Sequence, residues 1–468
     1  MRTNLTIFLI TLLLFPISAF GEILTIRHTV KQTFGGGQSP DDARISAIAK
    51  AKREALVKAG TYIESLTVVQ NLNVDKDEIL ALTAGVLKAE VLSQENYYTK
   101  DAPGIEIIVN VVVNTSVLEE RVKKLLQDKT HLAQLKDIQK REKELLRRVA
   151  QIEEENCKLS ANKQSTQKLE KEFQQASQGL MAVKWFYEAG ALWDGGKYTD
   201  PKKAIEYLSN AIKLQPHLAE AYSNRGIAYS NLGQQRHAIE DCNEAIRLKP
   251  NDAETYVNRG NAYRILGQYQ RAIEDYNEAI RLKPNLAAAY YNRGKAYSYL
   301  GQKQRAIEDF NETIRLKPDD ADAYYNRGVT YADIGQKKRT IEDYNEAIRL
   351  QPDYTLAYNN RGVAYADLGQ YQRAIEDFNK AIRLKPNDAG VHYNRGIAYD
   401  NLGQMKHAIQ DYNETIRLKP NDAEAYTKRG GAYFMQGNKE LFCRDVKKAC
   451  ALGDCKLFEM AKGKRYCR

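Results

Sequence analysis

The sequence predicts a mainly α-helical chain built as an α-solenoid of stacked helix hairpins, preceded by a long helix or coiled coil and a small α+β domain. Three observations predict it. Prolines recur at Pro216, Pro250, Pro284, Pro318, Pro352, Pro386 and Pro420, always 34 residues apart, and a fixed period of this length marks stacked supersecondary units. Each period holds two stretches of helical apolar spacing parted by a glycine. Ahead of the array, residues 22–116 alternate like strands around one alanine-rich helix, and residues 117–181 are rich in Lys, Glu and Gln, with no proline and only Gly179.

In the period containing Ala253, the residues Ala253, Tyr256, Gly260 and Tyr263 step along one helical face, and Gly267 supplies a left-handed stop. Ala272, Ile273, Tyr276, Ala279, Ile280 and Leu282 form a second face, which Pro284 ends. Small residues such as Gly260 and Ala272 fall where the two helices approach each other. Aromatic columns run through Tyr222, Tyr256, Tyr290, Tyr324, Tyr358 and Tyr426, with His392 in place of one, and through Tyr229, Tyr263, Tyr297, Tyr331, Tyr365, Tyr399 and Tyr433. A second-helix column reads Cys242, Tyr276, Phe310, Tyr344, Phe378 and Tyr412.

These columns resemble the tetratricopeptide repeat family, which implies a right-handed superhelix and a protein-binding scaffold. Two features depart from the family pattern. Arginine fills a usually aliphatic column (Arg225, Arg259, Arg293, Arg327, Arg361, Arg395, Arg429), and Thr340 replaces the close-contact alanine. A half-buried arginine needs a partner, and the column Asp241, Asp275, Asp309, Asp343, Asp377 and Asp411 is the expected one. Eight repeats are expected over 182–456. In the first, Gly190 precedes Gly226 by 36 residues, which places two extra residues in the turn between Asp194 and Pro201. The last loses its signature after Gly437, and a tail, 457–468, caps it.

Residues 1–21 read as a secretory signal, with Arg2, an apolar run from Leu5 to Phe15 and a small-residue exit at Ala19 and Gly21. The run is shorter than a membrane span needs, and no cysteine follows it to carry a lipid anchor. Export to the periplasm or cell envelope of a bacterium is the expectation, and it permits disulfides. Within 22–116 the pattern gives a strand at Ile23, Thr25, Arg27 and Thr29, then a turn at Gly35 to Gly37. A helix follows from Pro40 with a stripe of Ala43, Ala47, Ala51, Ala55 and Ala59, and then a shorter helix over 75–87. Strands near 88–98 and 105–114 are joined as a hairpin through Asp101 to Gly104. The alanine-rich helix, the Tyr62-Ile63-Glu64-Ser65 stretch and the paired strands after Ala84-Gly85 resemble the N-terminal domain of flagellar assembly protein T, which implies a cell-envelope setting.

From Ile138 a heptad runs through Leu145, Ile152, Leu159, Thr166, Phe173 and Leu180, with Val149 and Asn156 on the companion line. This allows either a coiled coil that joins chains into a homo-oligomer, with Asn156 setting register, or a single charged helix; fully helical, the segment would reach about 95 Å at ~1.5 Å per residue. At the other end, Cys443, Cys450, Cys455 and Cys467 are disulfide candidates with three connectivities open. Zinc is the rival, but the spacing lacks a Cys-x-x-Cys pair and no histidine lies nearby.

The sequence carries no catalytic constellation, and no enzyme, metal or cofactor is expected. Its six histidines are scattered, and it contains no phosphate-binding loop, no haem attachment motif and no nucleophile elbow. The formal charge of +10 is dispersed through the repeats, which points to solubility more than to a nucleic-acid groove. Binding is the better-supported chemistry. The first helix of successive repeats presents Asn224, Asn258, Asn292, Asn326, Asn360 and Asn394, giving way to Lys428, with Tyr291, Tyr325, Asn359 and Tyr393 alongside. An amide both donates and accepts, so such a column can pair with an extended peptide backbone. It resembles the asparagine ladder of O-linked N-acetylglucosamine transferases, which implies peptide holding, although the catalytic portion of that family is missing here. Arg264, Lys295 and Asp400 vary between repeats and are the expected specificity positions. Two alternatives remain at this point: the asparagines bond neighbouring repeats instead, or the array is purely architectural with an empty groove.

Overall fold

The structure is a computed structural model that describes residues 23–33, 40–65, 74, 79–81, 83–84, 87–99, 103–158 and 163–467. The expected signal segment 1–21, the expected turn at Gly35 to Gly37, Asp101 and most of the expected 75–87 helix lie outside the described residues, as do Leu159 and the side chains of Tyr62, Asn156 and Thr166. Two compact bodies divide the chain at Pro250 and Asn251.

The N-terminal body opens with β1 (Ile23–Thr33), α1 (Pro40–Ser65), β2 (Lys88–Tyr98) and β3 (Pro103–Asn114). The antiparallel sheet has the order β1-β3-β2, with Ile23 opposite Asn114 and Thr33 opposite Gly104. Ile105, Ile107, Val109 and Val111 of β3 turn to one face and are buried, as a period of two requires. Helix α1 packs on that sheet. Its alanines at 43, 47, 51, 55 and 59 are all 0% exposed, because residues four apart share one helical face and short side chains let helix and sheet approach.

The spacer forms three helices: α2 (Thr115–Gln127), α3 (Lys129–Lys158) and α4 (Lys163–Gly190). This corrects the expectation of one long helix. Arg148 pairs with Glu172 and Leu145 sits against Gly179, so α3 and α4 run antiparallel as a hairpin. The heptad residues Ile152, Phe173 and Leu180 bury one another there with Val149, Leu169 and Ala176. Among the described residues the apolar seam is therefore closed within one chain. Helix α4 also crosses the expected boundary at 181 without a break, and its last turns pack on α5 (Pro201–Leu214) as the first repeat. The two extra residues of that repeat form a hairpin, β4 (Trp193–Asp194) and β5 (Lys197–Tyr198), around Gly195 and Gly196 at φ 54° and 99°; paired positive φ values are what a two-residue hairpin turn needs. The second repeat is α6 (Ala219–Asn231) and α7 (Gln235–Leu248).

The C-terminal body stacks six further hairpins: α8 (Ala253–Ile265) with α9 (Tyr269–Leu282), α10 (Ala287–Tyr299) with α11 (Lys303–Leu316), α12 (Ala321–Asp333) with α13 (Lys337–Leu350), α14 (Thr355–Ala366) with α15 (Tyr371–Leu384), α16 (Ala389–Asn401) with α17 (Met405–Leu418), and α18 (Ala423–Met435) with α19 (Lys439–Ala451). A short helix, α20 (Lys456–Gly463), follows. Close approach within a hairpin falls at the small residues, as expected, and the side chain that the glycine admits is an aromatic ring of the second helix. A Cβ on Gly260, Gly328, Gly362 or Gly396 would lie 2.7 to 2.8 Å from the ring of Tyr276, Tyr344, Phe378 or Tyr412. The aromatic column of the second helix thus lies directly against the glycine column of the first. Thr340, which departs from the alanine column, donates its hydroxyl to the Gln336 carbonyl at 3.2 Å, which satisfies it within its own helix.

The terminal cap is pinned by Cys443–Cys467 and Cys450–Cys455. Both pairs hold cysteines of the 439–467 segment, where Phe442, Val446, Ala461 and Cys467 form a small core of their own.

Candidate functional site

The candidate site lies on the first helices of the C-terminal body. Adjacent first helices touch one another directly (α10 with α12, α12 with α14, α14 with α16), whereas the second helices pack against the first helices on either side. First helices therefore line the tighter, inner curve.

Behind that face runs a column of ion pairs. In every repeat of this body the arginine Nε and one terminal nitrogen bond both oxygens of the aspartate sixteen residues on, at 2.6 to 3.0 Å, from Arg259–Asp275 through Arg429–Asp445. This is the expected pairing, and the two-pronged fit is the geometry a planar guanidinium favours. Arg225 and Asp241 do the same in the N-terminal body. Burial lifts the carboxyls of Asp309 and Asp343 above their ordinary range, with the guanidinium opposing it. For Arg327, burial is the largest single influence and works against the charge, but the hydrogen bond to Asp343, that carboxylate's charge and the neighbouring Tyr331 and Tyr324 together outweigh it and the group is raised.

The sequence reading missed the third partner. The remaining arginine nitrogen reaches into the preceding repeat: Arg293 to Asn277, Arg327 to Asn311, Arg361 to Asn345, Arg395 to Asn379 and Arg429 to Asn413, at 2.6 to 2.7 Å. The signal was present as an asparagine two residues after each aspartate, at the same 34-residue period. Each arginine therefore ties its own hairpin together and fastens it to the one before.

The inner-face asparagines are half-buried, and they too are engaged in the chain. Asn292 donates to the Ala288 carbonyl at 2.9 Å. Asn326 donates to the Asp322 carbonyl at 2.7 Å and to the Tyr291 hydroxyl at 3.0 Å. Asn360 donates to the Tyr325 hydroxyl, and Asn394 to the Asn359 side-chain oxygen, each at 3.0 Å. Tyr291 and Tyr325 thus act as struts between repeats, holding the next asparagine in place. Tyr393 packs 6.0 Å from Tyr412, and its hydroxyl is buried with no protein partner. Asn258 occupies the equivalent place on α8. Asn224 belongs to the N-terminal body and is 3% exposed, which removes it from any surface a ligand could reach there.

The variable positions fall on the same face. Lys295 lies 5.3 Å over the Tyr291 ring, and burial together with the charge of Arg264 lowers its pKa. Burial raises Asp400, and Lys428 opposes that shift. Val329, Val363 and Ile397 stand one helical turn beyond Asn326, Asn360 and Asn394, so these three successive repeats each set a polar amide beside an aliphatic side chain. Among the described residues no group of three or more His, Cys, Asp or Glu could hold a metal ion.

Comparison with known proteins agrees with this architecture. A tetratricopeptide repeat model matches residues 219–252, 287–320, 321–354 and 355–388, a second one matches 242–274, and a TPR repeat model matches 260–301 and 401–437. The chain is thus a tetratricopeptide repeat protein over residues 219–388 and 401–437. A tetratricopeptide repeat protein from Parabacteroides merdae is 23% identical, covering 51% of this chain and 95% of its own, with a TM-score of 0.40. MamA from Desulfovibrio magneticus RS-1 is 27% identical, covering 36% and 96%, with a TM-score of 0.34. YrrB, described as a TPR protein with an unusual peptide-binding site, is 24% identical, covering 40% and 96%, with a TM-score of 0.36. No curated protein matches the chain.

Proposed function

We propose that this chain is an exported adaptor, not an enzyme, that holds an extended segment of a partner protein along the inner face of its C-terminal repeats. The observation that carries this reading is the regular alternation on that face. Asn326, Asn360 and Asn394 are fixed by struts from the preceding repeat, and each stands beside an aliphatic residue one turn away. Prepositioned amides reduce the ordering cost of binding, and a repeat of amide plus apolar patch suits a polypeptide whose backbone is gripped and whose alternate side chains are pocketed. With both donors of Asn326 used within the chain, its side-chain oxygen is the group that accepts a backbone N–H of the ligand. Export is supported by the apolar leader with its small-residue exit and by the pairing of all four C-terminal cysteines.

A second reading is architectural, with an empty groove. The bonds from Asn326 and Asn360 to Tyr291 and Tyr325 favour it, because they give the amides work inside the array. Tyr325→Phe separates the two. It releases Asn360 without deleting the amide, so a docking face loses partner affinity several-fold while the melting temperature barely moves; a purely architectural face shows lost stability and no partner to lose.

A further inference from the structure

The N-terminal body contains a cavity of about 570 Å³ that the groove reading does not use. It lies along α1, walled on the other side by α4 and the start of β2. Its length from Arg44 to Leu56 is about 18 Å at ~1.5 Å per helical residue. The floor is apolar, formed by Ile45, Ile48, Leu56, Leu87, Leu180 and Met181. Its volume falls in the range of sites that enclose small molecules, about 300–1,000 Å³.

The ionisable lining is lopsided. Arg44, Lys52, Arg53, Arg121 and Lys184 face Glu142 and Glu188, five cations against two carboxylates. Glu142 is held by Arg53 at 3.0 Å, so that pair is neutral inside the wall, and Arg44 reaches Asp41 through a terminal nitrogen at 3.4 Å. Two buried donors in the same lining, Arg44 Nε and the Tyr187 hydroxyl, have no hydrogen-bond partner in the protein. A buried donor left unpaired is destabilising, and a wall that keeps two of them beside surplus positive charge is built for something that brings oxygen acceptors and negative charge.

We propose that this cavity binds a single-chain anionic amphiphile, a carboxylate with a medium-length acyl tail. The tail lies along Ile45, Ile48 and Leu56, and the carboxylate sits against the cationic lining that includes Arg44. This site is independent of the inner face of the repeats.

The test is calorimetric titration of the full chain with sodium decanoate below its micelle concentration. The expected result is saturable one-site binding, at least tenfold tighter than decanol, that weakens several-fold in Arg44→Gln. Ala49→Phe, which fills the cavity from α1, is expected to abolish it with the circular dichroism spectrum unchanged; Ile48→Trp serves as the filler if Ala49→Phe does not fold. The proposal is overturned by the absence of saturable heat, by equal affinity for decanol, or by undiminished binding in a folded cavity-filled variant. A membrane surface is the other source of anionic lipid. Co-sedimentation with phosphatidylglycerol vesicles that persists in the cavity-filled variant, without decanoate uptake by the wild type, would assign the cations to that surface and would also overturn the proposal.

Discussion

Gly328→Ala tests the packing that sets the hairpin geometry. The added methyl carbon would sit 2.8 Å from Tyr344 Cε1, 3.0 Å from Cδ1 and 3.2 Å from the Asp343 Cβ, against the ~3.5–4.0 Å at which carbon atoms rest. The Tyr344 ring is 2% exposed and has nowhere to swing, so the helices must part. Overpacking of this kind costs ~1–3 kcal/mol, and alanine returns up to ~1 kcal/mol over glycine through helix propensity. The net expectation is a loss of about 1–2 kcal/mol. The last repeat holds the controls. At Gly430 the new carbon meets Val446 Cγ1 at 3.2 Å, with the Asp445 Cβ at 3.5 Å and the Phe442 carbonyl oxygen at 3.6 Å in ordinary contact, and at Gly431 it meets nothing within 4 Å. Gly430→Ala should be close to neutral, and Gly431→Ala should stabilise by up to ~1 kcal/mol. Guanidinium titration followed by circular dichroism, with hydrogen exchange to localise the change, reads all three. If Gly328→Ala proves as stable as Gly431→Ala, the ring-on-glycine account is wrong.

Arg327→Met leaves Asp343 without its two-pronged partner at a side chain only 6% exposed, and should cost about 2–4 kcal/mol in the same titration; adding Asp343→Leu should recover much of it. His131 is stacked on Trp193 at 5.0 Å, and burial lowers its pKa to about 4, with the Asp128 charge opposing. Its folded pKa lies below the unfolded value, so the unfolded chain binds the extra proton between pH 6.5 and 4. Stability of the N-terminal body is therefore full above about pH 6.5 and is lost as pH falls through that window, by at most about 3 kcal/mol. His131→Phe should flatten this slope in melts taken across the window. Cys443→Ser opens a loop of 24 residues and should cost about 3 kcal/mol, whereas Cys450→Ser opens one of 5 and should cost about 2 kcal/mol. Equal melting of the two variants would contradict that ordering.

Most of the fold was legible because its determinants are periodic. The 34-residue spacing located the hairpins, the alanine stripe located the face of α1, and alternation in β3 located the sheet. The Arg327–Asp343 pairing was legible because both columns repeat and a half-buried charge demands a partner. The spacer was misread for a physical reason. A heptad seam reports that a helix has an apolar face, and says nothing about whether the partner is another chain or the same chain folded back. Whether the chain reverses between two helices decides that, and residues 159–162 carry no proline or glycine to signal it. The close approach at Gly260 was legible, but its partner Tyr276 was not, because sequence spacing gives the face of a helix and not which side chain of the facing helix lies against it. The struts from Tyr291 and Tyr325 were missed for a related reason: they join residues 35 apart, one more than the period, so no single column displays them.

The inner face is tested most directly by placing a photocrosslinking residue at Val363 and, separately, at Glu308 on the outer surface of a second helix, then mapping what each traps in intact cells. The account predicts that Val363 captures one extended stretch of a partner polypeptide, that Glu308 does not, and that Asn326→Ala with Asn360→Ala lowers the Val363 yield several-fold. Equal capture from both positions, or a Val363 yield indifferent to the two asparagines, would contradict it.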